Sequence, residues 1–183
     1  SNDMGVNMSM NTISFNLNSS ITNLSFSLFE KSRKFIRIES NNNYLHMAEV
    51  QVIDKNGKNV ALGKSTKQSS VAWGGSSGRA VDNNTSGNWH DNSVTHTNIN
   101  GWWQVDLGEN VDIHKIIIYN RTDCCQARID NSIITIREGN ENNIVHTIEY
   151  GKNKNKKEFI VNKSTEKDTN NIKGRYVRIQ AKN

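Results

Sequence analysis

The sequence predicts an all-β fold, an antiparallel sandwich or barrel, on two observations. Short runs that alternate apolar and polar residues are separated by Asn, Gly and Ser clusters at the spacing of about 8–12 residues typical of such folds. The polarity of the chain is amide and hydroxyl rather than charge: of 183 residues, 29 are Asn, while charged residues make up 22% and hydrophobic ones 34%. Asn, Ser and Thr side chains bond the nearby backbone and compete with helix, so a helical bundle is disfavoured. No amphipathic segment of three helical turns is visible.

Taken in order, residues 1–32 are rich in Asn, Ser and Met with scattered Phe and Leu, and read as an N-terminal arm or extra edge strand, with Phe26-Ser27-Leu28-Phe29 as its one strand-like run. Residues 33–183 read as the sandwich. Its strands are expected over 35–38, 48–53, 103–107, 113–119, 133–137, 145–150, 159–161 and 176–179, on β-branched and aromatic enrichment. Ile116-Ile117-Ile118 is the continuous apolar run of a central strand buried on both faces. Of Trp102 and Trp103, which open a strand, at least one should be buried. Asp54-Lys55-Asn56-Gly57-Lys58-Asn59 is a hairpin signal that predicts pairing of residues 49–53 with 59–62. One repeat is visible: Lys34-Phe35-Ile36-Arg37-Ile38 resembles Arg175-Tyr176-Val177-Arg178-Ile179.

The charge balance is +5 and unconcentrated, a weak pointer to an acidic partner. Its densest run, Lys152 to Lys157, alternates with Asn and lacks the interleaved aromatics that stack bases, so nucleic acid is not the expected partner and a solvated loop is. No apolar run approaches the ~20 residues of a membrane span. Ser1 to Asn11 shows no cationic segment followed by an apolar one, so no signal peptide is visible. No Ser-His-Asp order, phosphate loop or carboxylate dyad emerges, and the expectation is that the chain is not an enzyme.

The informative stretch lies between Gly63 and Asp130. It holds Ala80-Val81-Asp82-Asn83-Asn84, then Thr95-His96-Thr97, Gly101-Trp102-Trp103-Gln104-Val105-Asp106-Leu107-Gly108 and Asn120-Arg121-Thr122-Asp123-Cys124-Cys125-Gln126-Ala127-Arg128. A guanidinium is a planar fork of fixed donors that holds two adjacent hydroxyl oxygens at once. Arg121 and Arg128, one at a strand end and one beyond the following turn, can converge on one concavity, with His96 as a third polar group. Asp123 lies between them in sequence and would neutralise and orient one arginine. Taken alone, the spacing also fits ordinary surface arginines at a sheet edge.

This combination, a His followed about two dozen residues later by Arg-x-Asp-x-x-x-x-Arg around an adjacent cysteine pair, resembles the F-type lectin (fucolectin) family, a branch of the discoidin, coagulation-factor type C superfamily. The resemblance covers roughly residues 33–183. It implies a discoidin-like jelly-roll sandwich whose sugar site is His96, Arg121, Asp123 and Arg128. It implies that Cys124 and Cys125 form a vicinal disulfide presenting a flat apolar face to the sugar; the alternative is a reduced pair, as a cytosolic location would favour. It places Trp89 and His90 near the methyl of a 6-deoxy sugar, and Trp73, with Val71, on the opposite wall; burying that methyl is worth about 1 kcal/mol. Core packing is the other reading of Trp89 and Trp73. It also implies a structural Ca²⁺ on Asp82, Asn84, Ser93 and Glu49 with the carbonyls of Arg79 and Ala48. Those are hard oxygen donors, although without the resemblance they read as an Asx turn.

The chain departs from the family order in one respect: Glu49 lies ahead of the motif, whereas its equivalent usually closes the domain. Either the domain is circularly permuted, or it is cut from a tandem array in which the front segment completes a neighbour; the first keeps Glu49 beside Asp82 and is preferred. Val94 stands where many relatives carry a bridging Cys, and Gln104 where an Arg is common. The expected function is that of a calcium-stabilised lectin for terminal α-L-fucose on glycans or glycoproteins, located extracellularly or on a cell or viral particle surface. Weak single sites favour multivalency, so a homo-oligomer or assembly through the arm is expected. The alternatives are a structural surface module with an idle sugar site and a binder of polyanions or anionic lipid.

Overall fold

The structure is a computed structural model, and it describes residues 7–9, 12–14, 33–152 and 154–161. The chain divides into two compact units, Ser1–Glu30 and Lys31–Asn183. In the first, strand β1 (Asn7–Ser9) pairs antiparallel with β2 (Thr12–Ser14). The strand expected at Phe26 to Phe29 and the second repeat copy at 175–179 lie outside the described residues.

The second unit is an antiparallel sandwich. Its strands are β3 (Arg33–Glu39), β4 (Glu49–Asp54), β5 (Ser65–Gln68), β6 (Trp102–Val111), β7 (Ile113–Tyr119), β8 (Ile133–Arg137), β9 (Ile144–Glu149) and β10 (Lys156–Ile160). Five of them form a sheet in the order β5-β6-β3-β8-β9, and three form a sheet in the order β10-β7-β4. One core joins the two: Ile36, Ile38, Trp103, Val105, Leu107, Ile134 and Ile136 from the larger sheet meet Val50, Val52, Ile116 and Ile118 from the smaller. Alternation does the sorting, because successive strand side chains point to opposite faces. The Ile116-Ile117-Ile118 run is the middle strand of its sheet, and all three side chains are buried. Trp103 is fully buried and its indole N–H donates to the Ser77 carbonyl, while Trp102 is half-buried beneath Arg37.

Two expectations are corrected. The turn after β4 forms as predicted, with Gly57 at φ 83° and the Asp54 carboxylate accepting from the Asn56 and Lys58 N–H groups. Of residues 59–62, Asn59 and Val60 pair with β4, by a bridge from Ile53 to Asn59 and the Val60 N–H donating to the Val52 carbonyl, but they form no strand; the long partner of β4 is β7. The polar Ser65–Gln68 segment, read only as part of the motif stretch, is the edge strand β5 on β6.

The front segment closes this unit itself. β3 is inserted between β6 and β8, with Ile36 opposite both Val105 and Ile136. β4 then lies on β7 with Glu49 opposite Tyr119, one residue before Asn120-Arg121. This register brings the front segment to the same end of the sandwich as the motif loops.

Candidate carbohydrate site

The site is assembled where four loops meet. Residues 44–48 run antiparallel to 94–97: the Leu45 carbonyl accepts from the Thr97 N–H and the Met47 carbonyl from the Thr95 N–H, while the two threonine hydroxyls accept from the Leu45 and Met47 N–H groups. The 71–75 loop packs on the other side. The His96 N–H donates to the Gly75 carbonyl and its carbonyl accepts from the Ala72 N–H. A Cβ at Gly75 would lie 2.5 Å from the His96 nitrogen, so only glycine fits there. Gly87 performs the same service for the arginine loop. A Cβ there would meet the Thr122 hydroxyl at 2.5 Å, and the Gly87 carbonyl accepts from the Thr122 N–H.

His96 is the hub. Its side chain is buried and ringed by three aromatic groups: Tyr44 at 5.4 Å between centroids, His46 at 5.5 Å and Trp89 at 5.9 Å. Nδ1 lies 2.8 Å from the Thr97 carbonyl. A carbonyl only accepts, so Nδ1 carries the proton and Nε2 presents its lone pair. That lone pair faces Arg128 Nη1 at 3.5 Å. Burial holds the His96 imidazole below its ordinary pKa, partly opposed by the Thr97 carbonyl, and the charges of Arg128 and Arg121 act with burial. A neutral imidazole is therefore the resting form.

Arg121 follows β7. Its Nε and Nη2 donate to the two carboxylate oxygens of Asp123 at 2.7 and 2.9 Å, a bidentate pair. The Arg121 guanidinium, through its hydrogen bonds first of all, depresses the Asp123 carboxyl to about 2. Arg121 also lies 5.0 Å from the Trp89 ring centroid, and Arg128, in the short 3₁₀ turn Gln126–Ile129, lies 4.8 Å from that of Tyr44. Cys124 and Cys125 are at disulfide distance between them, with Cys125 left-handed at φ 60° and its carbonyl accepting from the Arg128 N–H. The structure thus gathers His96, Arg121, Asp123, Arg128 and Trp89 into one cup. Two aromatic rings, Trp89 and Tyr44, lie within cation–π distance of the two guanidinium groups.

Two expected members stand apart. The His90 ring is exposed, and the residue is held through its backbone by the Asn88 side chain. Trp73 is 82% exposed at φ 54°, an uncommon backbone conformation for a bulky residue. Its loop is bonded to His96, but the Trp73 ring does not pack on the imidazole. Two members escaped the sequence reading, Tyr44 and His46. Leu45 and Met47 between them enter the core, and that alternation was the available signal that Tyr44 and His46 share the other face. Burial, then the charges of His96 and the arginines, pushes His46 down to about 3.

Beside the cup is an oxygen-rich pocket. Glu49 is fully buried; its Oε1 accepts from the Asn83 N–H at 3.3 Å, while Oε2 is buried without a hydrogen-bond partner. Burial raises its carboxyl to about 8, a rise reinforced by Asp82 and opposed by the Asn83 N–H. The Asp82 carboxylate accepts from the Asn84 N–H, the Asn84 side-chain amide donates to the Asp91 carbonyl, and the Ser93 hydroxyl donates to the Ser86 and Asn88 carbonyls. The Arg79 guanidinium ties the same loop down through the Val94 carbonyl and the Asn92 side chain. Ala48 immediately precedes β4, its N–H donating to the Tyr119 carbonyl. Among the described residues no group of three or more His, Cys, Asp or Glu is placed so as to hold a metal ion. Any ion here would be held by two carboxylates and several neutral oxygens.

Residues 79–179 match the family described as NedA-like, galactose-binding domain, of the F5/F8 type C group. The chain belongs to the F-type lectin family. It is 38% identical over 98 residues to fucolectin-3 of Anguilla japonica, covering 50% of this chain and 54% of that protein. It is 36% identical over 86 residues to the fucolectin of Anguilla anguilla, covering 43% and 54%. The chain thus spans about half the length of these relatives. Among solved structures, the lectin domain of lectinolysin complexed with Lewis B antigen is 36% identical with a TM-score of 0.54, over 60% of this chain and 79% of that one. The F-type lectin domain is a carbohydrate-binding module of the β-sandwich class and not an enzyme. No helix among the described residues is long and apolar enough to cross a membrane.

Proposed function

We propose that this domain is a calcium-stabilised lectin that recognises terminal α-L-fucose on glycans outside the cell. The observation that carries the reading is the convergence of Arg128 and Arg121 on the ring system around His96, with the His96 Nε2 lone pair 3.5 Å from Arg128. Two guanidinium groups supply donors for adjacent ring and hydroxyl oxygens, and the His96 Nε2 lone pair holds Arg128 Nη1 in place. Trp89, between Arg121 and His96, offers the apolar surface that a deoxy methyl would cover. The fucolectin relatives and the lectin domain complexed with Lewis B antigen support the same ligand class. The adjacent cysteine pair at disulfide distance agrees with an oxidising, extracellular location.

The oxygen pocket fits calcium. A buried carboxylate oxygen without a partner costs ~1–3 kcal/mol, more when charged, and a hard cation removes that cost. Glu49, Asp82, Asn84 and Ser93, with the Arg79 and Ala48 carbonyls, would hold it. When bound, the ion supplies charge that keeps Glu49 ionised and ties the front segment to the 82–93 loop. That loop carries Trp89 and runs into His96, so the ion would be structural.

A glycan array with and without Arg121→Ala tests the reading. Fucosylated hits that vanish in the variant are expected. Binding confined to heparin or anionic phospholipid, and unaffected by Arg121→Ala, would replace it with the polyanion or lipid reading, to which the exposed Trp73 and its neighbour Val71 would lend an apolar surface.

A further inference from the structure

The two arginines of the cup are held by different chemistry. Arg121 commits Nε and Nη2 to Asp123. Arg128 has no carboxylate within ion-pair distance among the described residues; its guanidinium lies over the Tyr44 ring, 4.8 Å from the centroid. A carboxylate fixes a guanidinium by consuming its N–H groups. An aromatic face fixes it through the ring quadrupole and consumes none, because the N–H bonds lie in the guanidinium plane. Arg128 is thereby held while committing only Nη1, which faces the His96 Nε2 at 3.5 Å.

The same ring has a second contact. Its plane is inclined 61° to that of His96 at 5.4 Å, an edge-type packing. One side chain therefore sets the position of both Arg128 and the imidazole that faces it at 3.5 Å. Tyr44 is itself fixed: it forms a bridge with Ile99, its N–H donates to the Asn43 side chain, and the next residue is bonded to Thr97. Two residues beyond Tyr44, His46 is buried with neither ring nitrogen hydrogen-bonded and packs on His96 at 5.5 Å.

We propose that Tyr44 is a positioning residue of the sugar site, holding Arg128 and His96 in register through its ring and not through its hydroxyl. The proposal rests on the carbohydrate reading above for its affinity readout, but the stack itself exists without ligand. The geometry also explains why the front segment belongs to the binding site: the motif stretch supplies the polar groups, and the segment ahead of it supplies the surface that orients them.

The test uses the full chain with calcium, methyl α-L-fucoside calorimetry, thermal melting and side-chain NMR. Tyr44→Leu is expected to weaken binding about tenfold, equivalent to ~1.4 kcal/mol, with the fold retained. Tyr44→Phe, which keeps the ring, should restore most of that loss. In an Arg128→Lys background the Tyr44→Leu penalty should shrink, since the partner of the ring has been altered. In the ligand-free wild type the Arg128 side-chain protons should show an upfield ring-current shift that Tyr44→Leu abolishes. Full affinity in Tyr44→Leu, or equal losses in the Phe and Leu variants, would overturn the proposal. So would an unshifted Arg128 in the ligand-free protein, a result independent of whether fucoside binds. Should Tyr44→Leu fail to fold, the Phe variant and the wild-type shift decide. No fucoside binding by wild type alongside a shifted Arg128 would sink the fucose reading and leave the stack standing.

Discussion

The donor-rich cup and the oxygen-rich pocket are neighbours built on one short segment, yet they are in opposite states. Tyr44 and His46 face the cup, and Glu49 faces the pocket. In the cup every charge is answered by this chain. Arg121 has Asp123, Arg128 has the Tyr44 ring, and His96 is kept neutral by burial and bonded to the Thr97 carbonyl. In the pocket a buried carboxylate keeps one oxygen without a partner and sits at about 8 instead of its ordinary acidic range. The contrast separates two kinds of arrangement: the cup is pre-organised by contacts within the chain, while the proposed cation would complete the pocket. Preorganisation of this kind lowers the ordering cost of binding.

The largest expected effect is on the cup. Arg128→Ala or Arg121→Ala should weaken fucoside binding about 100-fold or more, as two charge-assisted hydrogen bonds at ~1.5–3 kcal/mol each imply. Calorimetry measures it, and near-normal affinity in either variant would dissolve the contrast with the pocket.

The pocket should answer to ions. Saturating calcium is expected to raise the melting temperature by about 5–10 °C, from ~2.7 kcal/mol at a hundredfold excess over Kd and ~2–4 °C per kcal/mol for a domain of this size. Glu49→Gln should remove the increment, and magnesium should give less because it demands a stricter octahedral shell. A pH titration sharpens the point. With a chelator present, folded Glu49 retains its proton up to about 8 while the unfolded carboxyl, ordinarily at 4.5, has lost it. The native state then binds more protons, so stability is full below the lower value and falls as pH rises through the higher one. Melting in chelator should therefore drop between pH 5 and pH 8, and the Glu49→Gln variant should lose that slope. Unchanged melting with calcium would return the pocket to an Asx turn.

Smaller effects should divide along the same line. Reducing the Cys124–Cys125 pair, or replacing both by Ser, should weaken fucoside binding about fivefold, ~1 kcal/mol, through the turn whose Cys125 carbonyl holds the Arg128 N–H. The calcium increment should survive, because the pair belongs to the cup. Last, because burial holds His96 below its ordinary pKa, any loss of fucoside affinity from charging this imidazole beside the arginines should be centred below the free-histidine value of 6.5 when affinity is measured against pH. A titration centred near 6.5 would contradict the burial of His96.

The sandwich was legible because its inward strands carry the period-two signal: Ile36 and Ile38, Val50 and Val52, and the Ile116–Ile118 run all lie in the core. β5 was not, since Ser65-Thr66-Lys67-Gln68 is polar on both faces and holds its place by backbone pairing to β6. The 59–62 pairing was misjudged because a good turn at Gly57 fixes a reversal of direction, not the length of the ladder after it. The polar groups of the site were readable as a spaced motif. Their supports were not. Tyr44 and His46 reach His96 across a separation of about fifty residues, through backbone bonds such as Thr95 to Met47 that no local pattern announces.

The most direct test is a side-chain NMR titration of the calcium-loaded chain with methyl α-L-fucoside. The Nε resonances of Arg121 and Arg128 and the imidazole of His96 should all shift together and saturate along one binding curve. Shifts in only one arginine, or none at millimolar sugar, would show that these three side chains do not form a fucose site.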